Sequence, residues 1–384
     1  MSNHKSKATA EVEDVASKID SLSITGRKGE SQRRKSLNEA LRSFNEAAVA
    51  FSEQGANIAK LLRADDVFNK EYVESIYLAQ TRAIELGRVA RLLNDSAIHA
   101  VVRQVISLGD KTLFGVAELL QHFKKPIRNI AQRVIGESKS EDILWKIAEE
   151  CYHQAASPTG ELNTEDYLAS SKWIEKKDRK QDWIKFWIRP LCKCPGGPTL
   201  FQSDEDFVFD DSVEKPPKHM PRYLFRAYDK NSTGLNTDAM VASVLHQRGE
   251  ANRHKIDIFS MDSQEASEML HHHLHKGLYN TRKTNNLVSW SSSLMFVIQY
   301  ANWRFCNPWF GQPDDIHICA VATSKFPRRQ FARDKWLLNS FKNGDFSDEE
   351  SDFRNLRLNL TQYDNGEYLS QGKLLIEGRS CTLV

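Results

Sequence analysis

Apolar residues recur with helical spacing along the first half of the chain. From Ser36 to Leu62 they alternate at intervals of four and three, which is typical of a long helix that packs through one seam. Ser36 and Glu39 have the spacing of a capping box at the start of this helix. The seam positions are Leu37, Leu41, Phe44, Ala48, Phe51, Gly55, Ile58 and Leu62.

The same spacing predicts further helices up to residue 194. A second helix is expected from Asp66 to Leu93, and Asn94–Ser96 is expected to end it and to cap the next one. More helices are predicted after Gly109 and from Pro126. The region 36–194 is therefore predicted to be an all-α helical bundle, which binds a protein partner or self-associates.

Tryptophans cluster near the end of this region. Trp183 and Trp187 lie close to Lys185 and Arg189, where they could stack on nucleic-acid bases. Acidic residues are interleaved with them, so a packed amphipathic helix is the favoured interpretation.

The helical spacing of apolar residues ends at about residue 194. Proline, glycine and acidic residues dominate 195–220 and predict a linker. Strand patterns then mix with helices, and three serines (291–293) stop one strand and offer caps to a following helix. We predict a mixed fold, an α-helical part followed by an α+β domain. Its predicted parts are a disordered polar tail (1–35), a helical region (36–194), a linker (195–220) and a C-terminal domain (221–384).

Composition narrows the class of protein. Hydrophobic residues make up 40% and aromatic residues 10%, which suits a packed protein. The net charge is +2 from 53 basic and 51 acidic residues, so no overall field indicates nucleic acid. No apolar run approaches the roughly 18 residues that span a bilayer, and the six cysteines have no disulfide spacing. We expect a soluble cytoplasmic protein; Arg33–Lys35 is either a weak nuclear signal or part of a solvated tail.

Three short motifs suggest other chemistry. Four histidines lie at 271–273 and 275. Only His271 and His275 would share one face of a helix, and no Cys or Glu nearby completes a ligand set, so we predict no metal site. Cys192 and Cys194 lack the second pair of ligands that zinc requires. Cys381 opens a C-a-a-X ending, which is either a prenylation signal or the end of the last strand.

Three polar residues stand in order on or beside the predicted strands of the C-terminal domain. Arg226 can grip a pyrophosphate with its fork of donors. Ser289 can donate to a ribose hydroxyl or hold a carboxylate, and Glu367 can stabilise a ribosyl cation as a leaving group departs. Each also has a structural interpretation. Arg226 would pair with a carboxylate, Ser289 and Ser291 would end a strand and cap a helix, and Glu367 would follow a turn.

The order and the flanking residues resemble the mono-ADP-ribosyltransferases of the arginine–serine–glutamate type, in the heat-labile-enterotoxin-like branch. The family's aromatic-Arg strand, Val-Ser-Thr-Ser strand end and Ala-x-x-Phe-Ala helix correspond to Phe225-Arg226, 288–291 and 297–301, with Trp290 in place of threonine. Residues 316–323 are similar to the family's central strand. The Gly-Glu-Tyr-Leu at 366–369 is also similar to uncharacterised domains of filamentous fungi.

The resemblance covers about residues 220–384 and implies a domain with split antiparallel sheets that uses NAD as its substrate. It implies transfer of ADP-ribose to a protein or another macromolecule, or hydrolysis of NAD. An inactive domain that serves as an intracellular protein-interaction module is the alternative. The implied roles are catalysis for Glu367, Ser289 and Arg226, NAD binding for Arg226, Ser289, Trp290 and Ser291, and choice of acceptor for Asn365, where the family carries Gln or Glu.

Overall fold

A computed structural model of the chain describes residues 32, 35–61, 70–137, 143–201, 220–249, 255–275, 285–307, 316–341 and 348–383. The chain divides into two compact units, Met1–Ala90 and Arg91–Val384. Apart from residues 32 and 35, which are helical, the predicted polar tail lies outside the described residues. No helix within these ranges is both long enough and apolar enough to cross a bilayer.

The described residues of the first unit are helical. Helix α1 covers residues 35–61, and helix α2 (Lys70–Leu108) begins in this unit. The predicted helix from Ser36 to Leu62 is confirmed over its described length, and the alternating seam lies along it. None of the described side chains of this unit is buried.

The predicted break at Asn94–Ser96 is wrong, because α2 continues through these residues. Ile98 and Val105, which follow them on α2, are buried in the core of the second unit. Asp95 forms an ion pair with Arg128 at 3.1 Å. Burial of the apolar positions outweighs the weak helix propensity of Asn, Asp and Ser, which costs only a few tenths of a kcal/mol to about 0.7 kcal/mol per residue.

Four more helices surround the first core of the second unit. Three adjacent aromatic side chains of the last helix, Trp183, Phe186 and Trp187, are fully buried in this core. The Trp183 Nε1–H donates to the Leu162 carbonyl at 2.9 Å. The preference for a packed helix over base stacking is therefore confirmed. The helices are α3 (Val116–His122), α4 (Lys124–Glu137), α5 (Ile143–Ala156) and α6 (Trp173–Lys193).

Replacing Trp183 by alanine is expected to destabilise the second unit by about 3–5 kcal/mol, because a large side chain leaves a cavity. Trp173 begins the same helix but is 75% exposed. Trp173→Ala should therefore change the free energy of unfolding by only about 0.5 kcal/mol. Urea unfolding of both variants measures the difference, and equal losses would contradict the assignment of the core.

The C-terminal part contains two antiparallel sheets. The six-stranded sheet has the order β6-β7-β4-β1-β5-β9, and the three-stranded sheet has the order β2-β3-β8. The mixed fold with antiparallel sheets is thus as predicted, and likeness to ADP-ribosyltransferases remains a prediction. The strands are β1 (Tyr223–Tyr228), β2 (Leu235–Asn236), β3 (Met240–Ala242), β4 (Leu287–Ser291), β5 (His317–Ala322), β6 (Ala332–Arg333), β7 (Glu367–Gln371), β8 (Lys373–Leu375) and β9 (Ser380–Leu383).

Helices and short 3-10 turns connect these strands. Residues 240–242 form β3, and the short helix that follows covers only 244–247. The strand prevails because Val241 pairs with Leu374 and both are buried. The helices are α7 (Val244–Gln247), α8 (Ser263–His275), α9 (Leu294–Cys306), α10 (Asp334–Ser340) and α11 (Asp348–Asn359); the 3-10 turns are Ile258–Ser260, Thr323–Lys325 and Thr361–Tyr363.

The large sheet has two distinct faces. On one face Leu224 and Trp290 pack in a cluster with Val241 and Leu374 of the small sheet. We call this the inter-sheet face. On the other face Leu287 clusters with residues of α8 and α10. We call this the helix-covered face, and the side chains of each strand alternate between the two.

The chain does not divide at the predicted linker. Thr199 bridges to Gln371 of β7, and Phe201 is buried in the helix-covered cluster. Glu149 of α5 pairs with Arg379 at 2.5 Å. These contacts join the helices to the sheets, so residues 91–201 and the C-terminal part form one unit. Residues 202–219 of the predicted linker lie outside the described residues.

Candidate functional site

Three neighbouring strands carry the three predicted site residues. Arg226 lies on β1, Ser289 on β4 and Glu367 at the start of β7, and β4 lies between the other two. The register of β4 and β7 pairs Ser291 with Glu367 and Ser289 with Leu369. Ser289 and Glu367 are thus diagonal neighbours on the helix-covered face, with their Cα atoms roughly 7–8 Å apart.

Arg226 approaches the same place from the inter-sheet side. A single residue pair, Phe225 with Ser291, joins β1 to β4. Arg226 follows Phe225, so its side chain starts on the opposite face. Its Nη1 donates to the Ser289 carbonyl at 2.9 Å, and its Nε donates to Asn236 Oδ1 at 3.0 Å. Arg226 therefore links β1, β2 and β4 and contacts the backbone of Ser289.

Two opposing effects act on the pKa of Arg226. Burial lowers the pKa of this guanidinium, whereas Tyr300 on α9 acts in the opposite direction. Arginine stays protonated in proteins, so a half-buried cation is held where β1 and β4 meet. Such a cation is suited to an anionic group of a ligand.

A hydrogen-bonded chain runs from Ser289 to Asn285 through His273 of α8. Ser289 Oγ lies 2.8 Å from His273 Nε2, and His273 Nδ1 lies 3.1 Å from Asn285 Oδ1. Asn285 Oδ1 also accepts the Leu287 N–H at 3.1 Å, which identifies it as the oxygen. His273 Nδ1 must then be the donor. In neutral His273 the lone pair of Nε2 accepts the Ser289 hydroxyl proton.

His273 is a site residue that sequence reasoning missed. The histidines at 271–273 and 275 suggest metal ligation in the sequence, but the described residues contain no group of three His, Cys, Asp or Glu side chains that could hold a metal ion. The signal was present in the helical spacing. Leu270 and Leu274 are buried, so residue 273 lies beside the face that packs on the sheet.

Glu367 belongs to a buried ionic cluster. Its side chain is 4% exposed, and Oε2 accepts from Arg357 Nη2 of α11 at 2.8 Å. The same Nη2 lies 2.5 Å from Asp334 Oδ2 at the start of α10. Asn365 Nδ2 also approaches Glu367 Oε2, at 3.3 Å.

Two carboxylates thus share one guanidinium. Burial raises the pKa of Asp334, with Glu367 acting in the same direction and Arg357 against it. Burial opposes the charge of Arg357, but the attraction of Asp334 and Glu367 prevails and raises its pKa. Arg357 and Asp334 were not predicted from the sequence, because no local pattern connects α10, α11 and β7.

The turn before β7 is fixed against the end of β4. Ser291 Oγ donates to the Asn365 carbonyl at 2.7 Å, and the Ser292 N–H donates to the Gly366 carbonyl at 2.8 Å. Gly366 has φ 68°, and a Cβ there would lie 2.4 Å from Ser292 Oγ. Only glycine fits this position without a shift. Ser291 and Asn365 therefore set the position at which Glu367 enters the strand.

Trp290 does not line a ligand pocket. It is 2% exposed on the inter-sheet face, and its ring packs edge-on against Phe331. Its Nε1–H donates to Ser370 Oγ at 2.9 Å. The expectation that Trp290 binds NAD is corrected to a core role, because the pleat turns it away from Ser289.

The helix after β4 begins as predicted. Ser293 caps α9 by accepting the Phe296 N–H at 3.2 Å. Val297 and Ala301, the first and last residues of the segment that resembles Ala-x-x-Phe-Ala, are buried. The segment 288–301 therefore forms the strand, cap and helix that its pattern predicts.

Comparison with known families gives one match. Residues 219–373 match a family described as a domain of unknown function (DUF7587). The match covers less than half of the chain and includes Arg226, Ser289 and Glu367. No curated protein and no solved structure matches the chain.

Proposed function

We propose that residues 221–384 form an NAD-dependent ADP-ribosyltransferase domain, which acts as an NAD glycohydrolase when water is the acceptor. The observation that supports this function best is the adjacency of β1, β4 and β7. These strands bring Arg226, Ser289 and Glu367 together from three distant parts of the sequence. Ser289 and Glu367 then share one face of the sheet, and Arg226 reaches the backbone of Ser289 from the other face.

Glu367 is the proposed catalytic residue. In the reaction the bond between the ribose C1′ and the nicotinamide nitrogen breaks, and nicotinamide leaves with the electron pair. Positive charge develops on the ribose ring, and a fixed carboxylate lowers the energy of that transition state. A nucleophile of the acceptor, or water, then attacks C1′ and loses its proton.

Ser289 and Arg226 organise the substrate and the strand end. Ser289 Oγ would bind a ribose hydroxyl while His273 and Asn285 hold its orientation. Arg226 starts on the face opposite Ser289 and Glu367, and two of its nitrogens bind Asn236 and the Ser289 carbonyl, so its positive charge would act on the pyrophosphate through the strand end and not beside Ser289 Oγ. We therefore assign Arg226 first to positioning Ser289 and second to attracting the anionic substrate.

The acceptor would be a protein or another macromolecule. Asn365 precedes Glu367 by two residues and lies beside it, at the position to which the resemblance assigns choice of acceptor. Its amide is neutral and bonds to Glu367. Because Asn365 adds no negative charge beside Glu367, this position suits water or a neutral acceptor group better than a positively charged acceptor, which a second carboxylate would attract.

The burial of Glu367 and its ion pair with Arg357 also support a second candidate function. Its burial and its ion pair with Arg357 are also what a structural carboxylate would show. In that case the domain is an inactive relative that acts as a protein-interaction module. The two proposals differ in whether NAD binds at all.

Calorimetric titration of NAD into the purified chain separates them. The enzyme proposal expects binding by the wild type and weaker binding by Arg226→Met. Arg222→Met is a suitable control, because Arg222 is exposed immediately before β1. Failure of NAD to bind the folded wild type would favour the interaction module.

The hydrogen-bonded chain from Ser289 yields a graded prediction. His273→Ala should lower kcat for nicotinamide release about tenfold, the effect of roughly 1.4 kcal/mol, because Ser289 loses its orienting partner. His275→Ala, a neighbouring exposed histidine on α8, should leave kcat unchanged. Steady-state kinetics measures both, and equal effects would contradict a specific role for His273.

A further inference from the structure

Ser289, His273 and Asn285 have the arrangement of a nucleophile, a base and an orienting group. The Ser289 Oγ lies 2.8 Å from His273 Nε2, and His273 Nδ1 lies 3.1 Å from Asn285 Oδ1. Both distances lie within the range of about 2.6–3.2 Å that marks an activated hydroxyl and its oriented base. Because Asn285 Oδ1 accepts the His273 Nδ1–H, neutral His273 presents its basic nitrogen to the Ser289 hydroxyl.

The Ser289 hydroxyl differs from those of the three serines that end the strand and cap α9. The hydroxyls of residues 291–293 each bond to a backbone group, which is the usual role of serine at a cap or a turn. The Ser289 hydroxyl bonds to an imidazole instead. A serine that only completes a strand has no need of a base, so this contact indicates chemistry at Ser289.

Regular elements hold the three side chains in place. Ser289 is the third residue of β4, which pairs with β7 along its whole length. His273 lies on α8, whose buried residues pack against the same sheet. Asn285 lies two residues before β4, and the Leu287 N–H holds its side chain at 3.1 Å. Side chains fixed on such elements keep the geometry that a reaction requires.

We propose that Ser289 is a nucleophile for acyl transfer and that its substrate class is a neutral ester with a small acyl group. The Ser289 Oγ attacks the carbonyl carbon of the ester while its proton passes to His273 Nε2. The bond to the alcohol oxygen then breaks, and that oxygen leaves with the electron pair and takes the proton from His273. The acyl group remains on Ser289 until water attacks in the same way and releases the carboxylic acid.

The surroundings of Ser289 define this class of ester. Ser289 and His273 are both half-buried, which favours a small acyl group over a large one. Glu367 lies on the same face of the sheet as Ser289. The described ionic groups around Glu367 balance, so no excess charge selects a charged ester. They are the carboxylates of Asp334, Asp364 and Glu367 and the cations of Arg333, Lys335 and Arg357.

Reaction of the purified full chain with p-nitrophenyl acetate tests this proposal. The wild type should release nitrophenolate above the buffer rate, and peptide mass mapping should find the acetyl group on Ser289. A fluorophosphonate probe, which loses fluoride and forms a stable adduct with activated serines, should label the same residue. Neither reagent contains NAD, so the result is independent of the proposed NAD-dependent function.

Variants of the base and of its orienting group separate activation from packing. His273→Gln should slow acetylation by about 10²–10⁴-fold, because glutamine can bond to Ser289 but cannot take its proton. Asn285→Ala should slow it as well, whereas Asn285→Asp should retain at least the wild-type rate, because a carboxylate oxygen holds the same tautomer of His273. Ser292→Ala is the matched control and should leave the rate unchanged, since its hydroxyl bonds to a backbone carbonyl.

Circular dichroism and urea unfolding check that the wild type and each variant are folded. Absence of an acetyl group or a fluorophosphonate adduct on Ser289 of the folded wild type overturns the proposal. It is also overturned if Ser289 reacts as fast in His273→Gln as in the wild type, because His273 is then not its base.

Discussion

Replacing Glu367 by glutamine is expected to reduce kcat for nicotinamide release by about 10²–10³-fold, or roughly 2.7–4 kcal/mol, while NAD binding changes little. Glutamine keeps the shape of the side chain and removes the negative charge. The charge acts on the positive ribose ring, which exists only in the transition state, so the loss should fall on kcat rather than on KM.

A nearby carboxylate supplies the control for this variant. Asp364 lies in the turn before Gly366 and forms ion pairs with Arg333 and Lys335. Asp364→Asn should retain most of the activity. Kinetics with both purified variants, together with calorimetric NAD affinities, measures the difference. Unchanged turnover in Glu367→Gln would remove Glu367 from the mechanism.

Replacing Arg357 by methionine is expected to have a large effect on stability. Arg357 is the cation shared by Asp334 and Glu367, and both carboxylates are buried. Removal of one partner from a buried ion pair leaves an uncompensated charge and costs about 3–5 kcal/mol. Arg133→Met, which removes a surface partner of Glu150 and Glu161, should cost at most about 1 kcal/mol.

The loss in Arg357→Met should depend on pH in a defined direction. Without Arg357, which acts against the effect of burial, the folded-state pKa of Asp334 stays above its unfolded value of roughly 3.9. A raised folded pKa favours the folded state at low pH, and that advantage is lost as pH rises through the folded pKa. The variant should therefore lie closest to the wild type near pH 4 and furthest from it at neutral pH.

Urea unfolding of wild type and Arg357→Met across this pH range measures the effect. Activity provides an independent readout, because Arg357 also holds the carboxylate of the proposed catalytic residue, Glu367, through the bond from Nη2 to Oε2 at 2.8 Å. Arg357→Met should thus lose turnover at neutral pH as well as stability. A destabilisation that is the same at pH 4 and at pH 7 would show that the carboxylates do not depend on Arg357.

Periodicity predicted the helices and strands where burial follows the local pattern. The seam of α1, the packed tryptophans of α6 and the strand, cap and helix at 287–306 each bury or align residues that their spacing identifies. The predicted break at Asn94–Ser96 failed because tertiary burial of Ile98 overrides weak propensities. Local patterns therefore predicted most of the helices and strands, but they did not predict the places where burial in the core overrides a local preference.

The candidate site was harder to predict because side-chain direction depends on register. Arg226 and Trp290 share one face of the sheet, while Ser289 and Glu367 share the other, and a shift of one residue would exchange them. The partners His273, Arg357 and Asp334 come from three separate helices. No local sequence pattern shows that these helices lie beside the strands. The order Arg, Ser, Glu could therefore be recognised in the sequence, whereas the residues that contact Ser289 and Glu367 could not.

The most direct test of the central proposal is release of nicotinamide from NAD by the purified full chain, with analysis of the ADP-ribose product. The account predicts release above the uncatalysed background, with ADP-ribose either free or attached to a macromolecule, and its loss in Glu367→Gln that remains folded. Absence of release by wild type that is folded and incubated with candidate acceptors, together with absence of NAD binding, would contradict it. The domain would then be assigned to protein interaction.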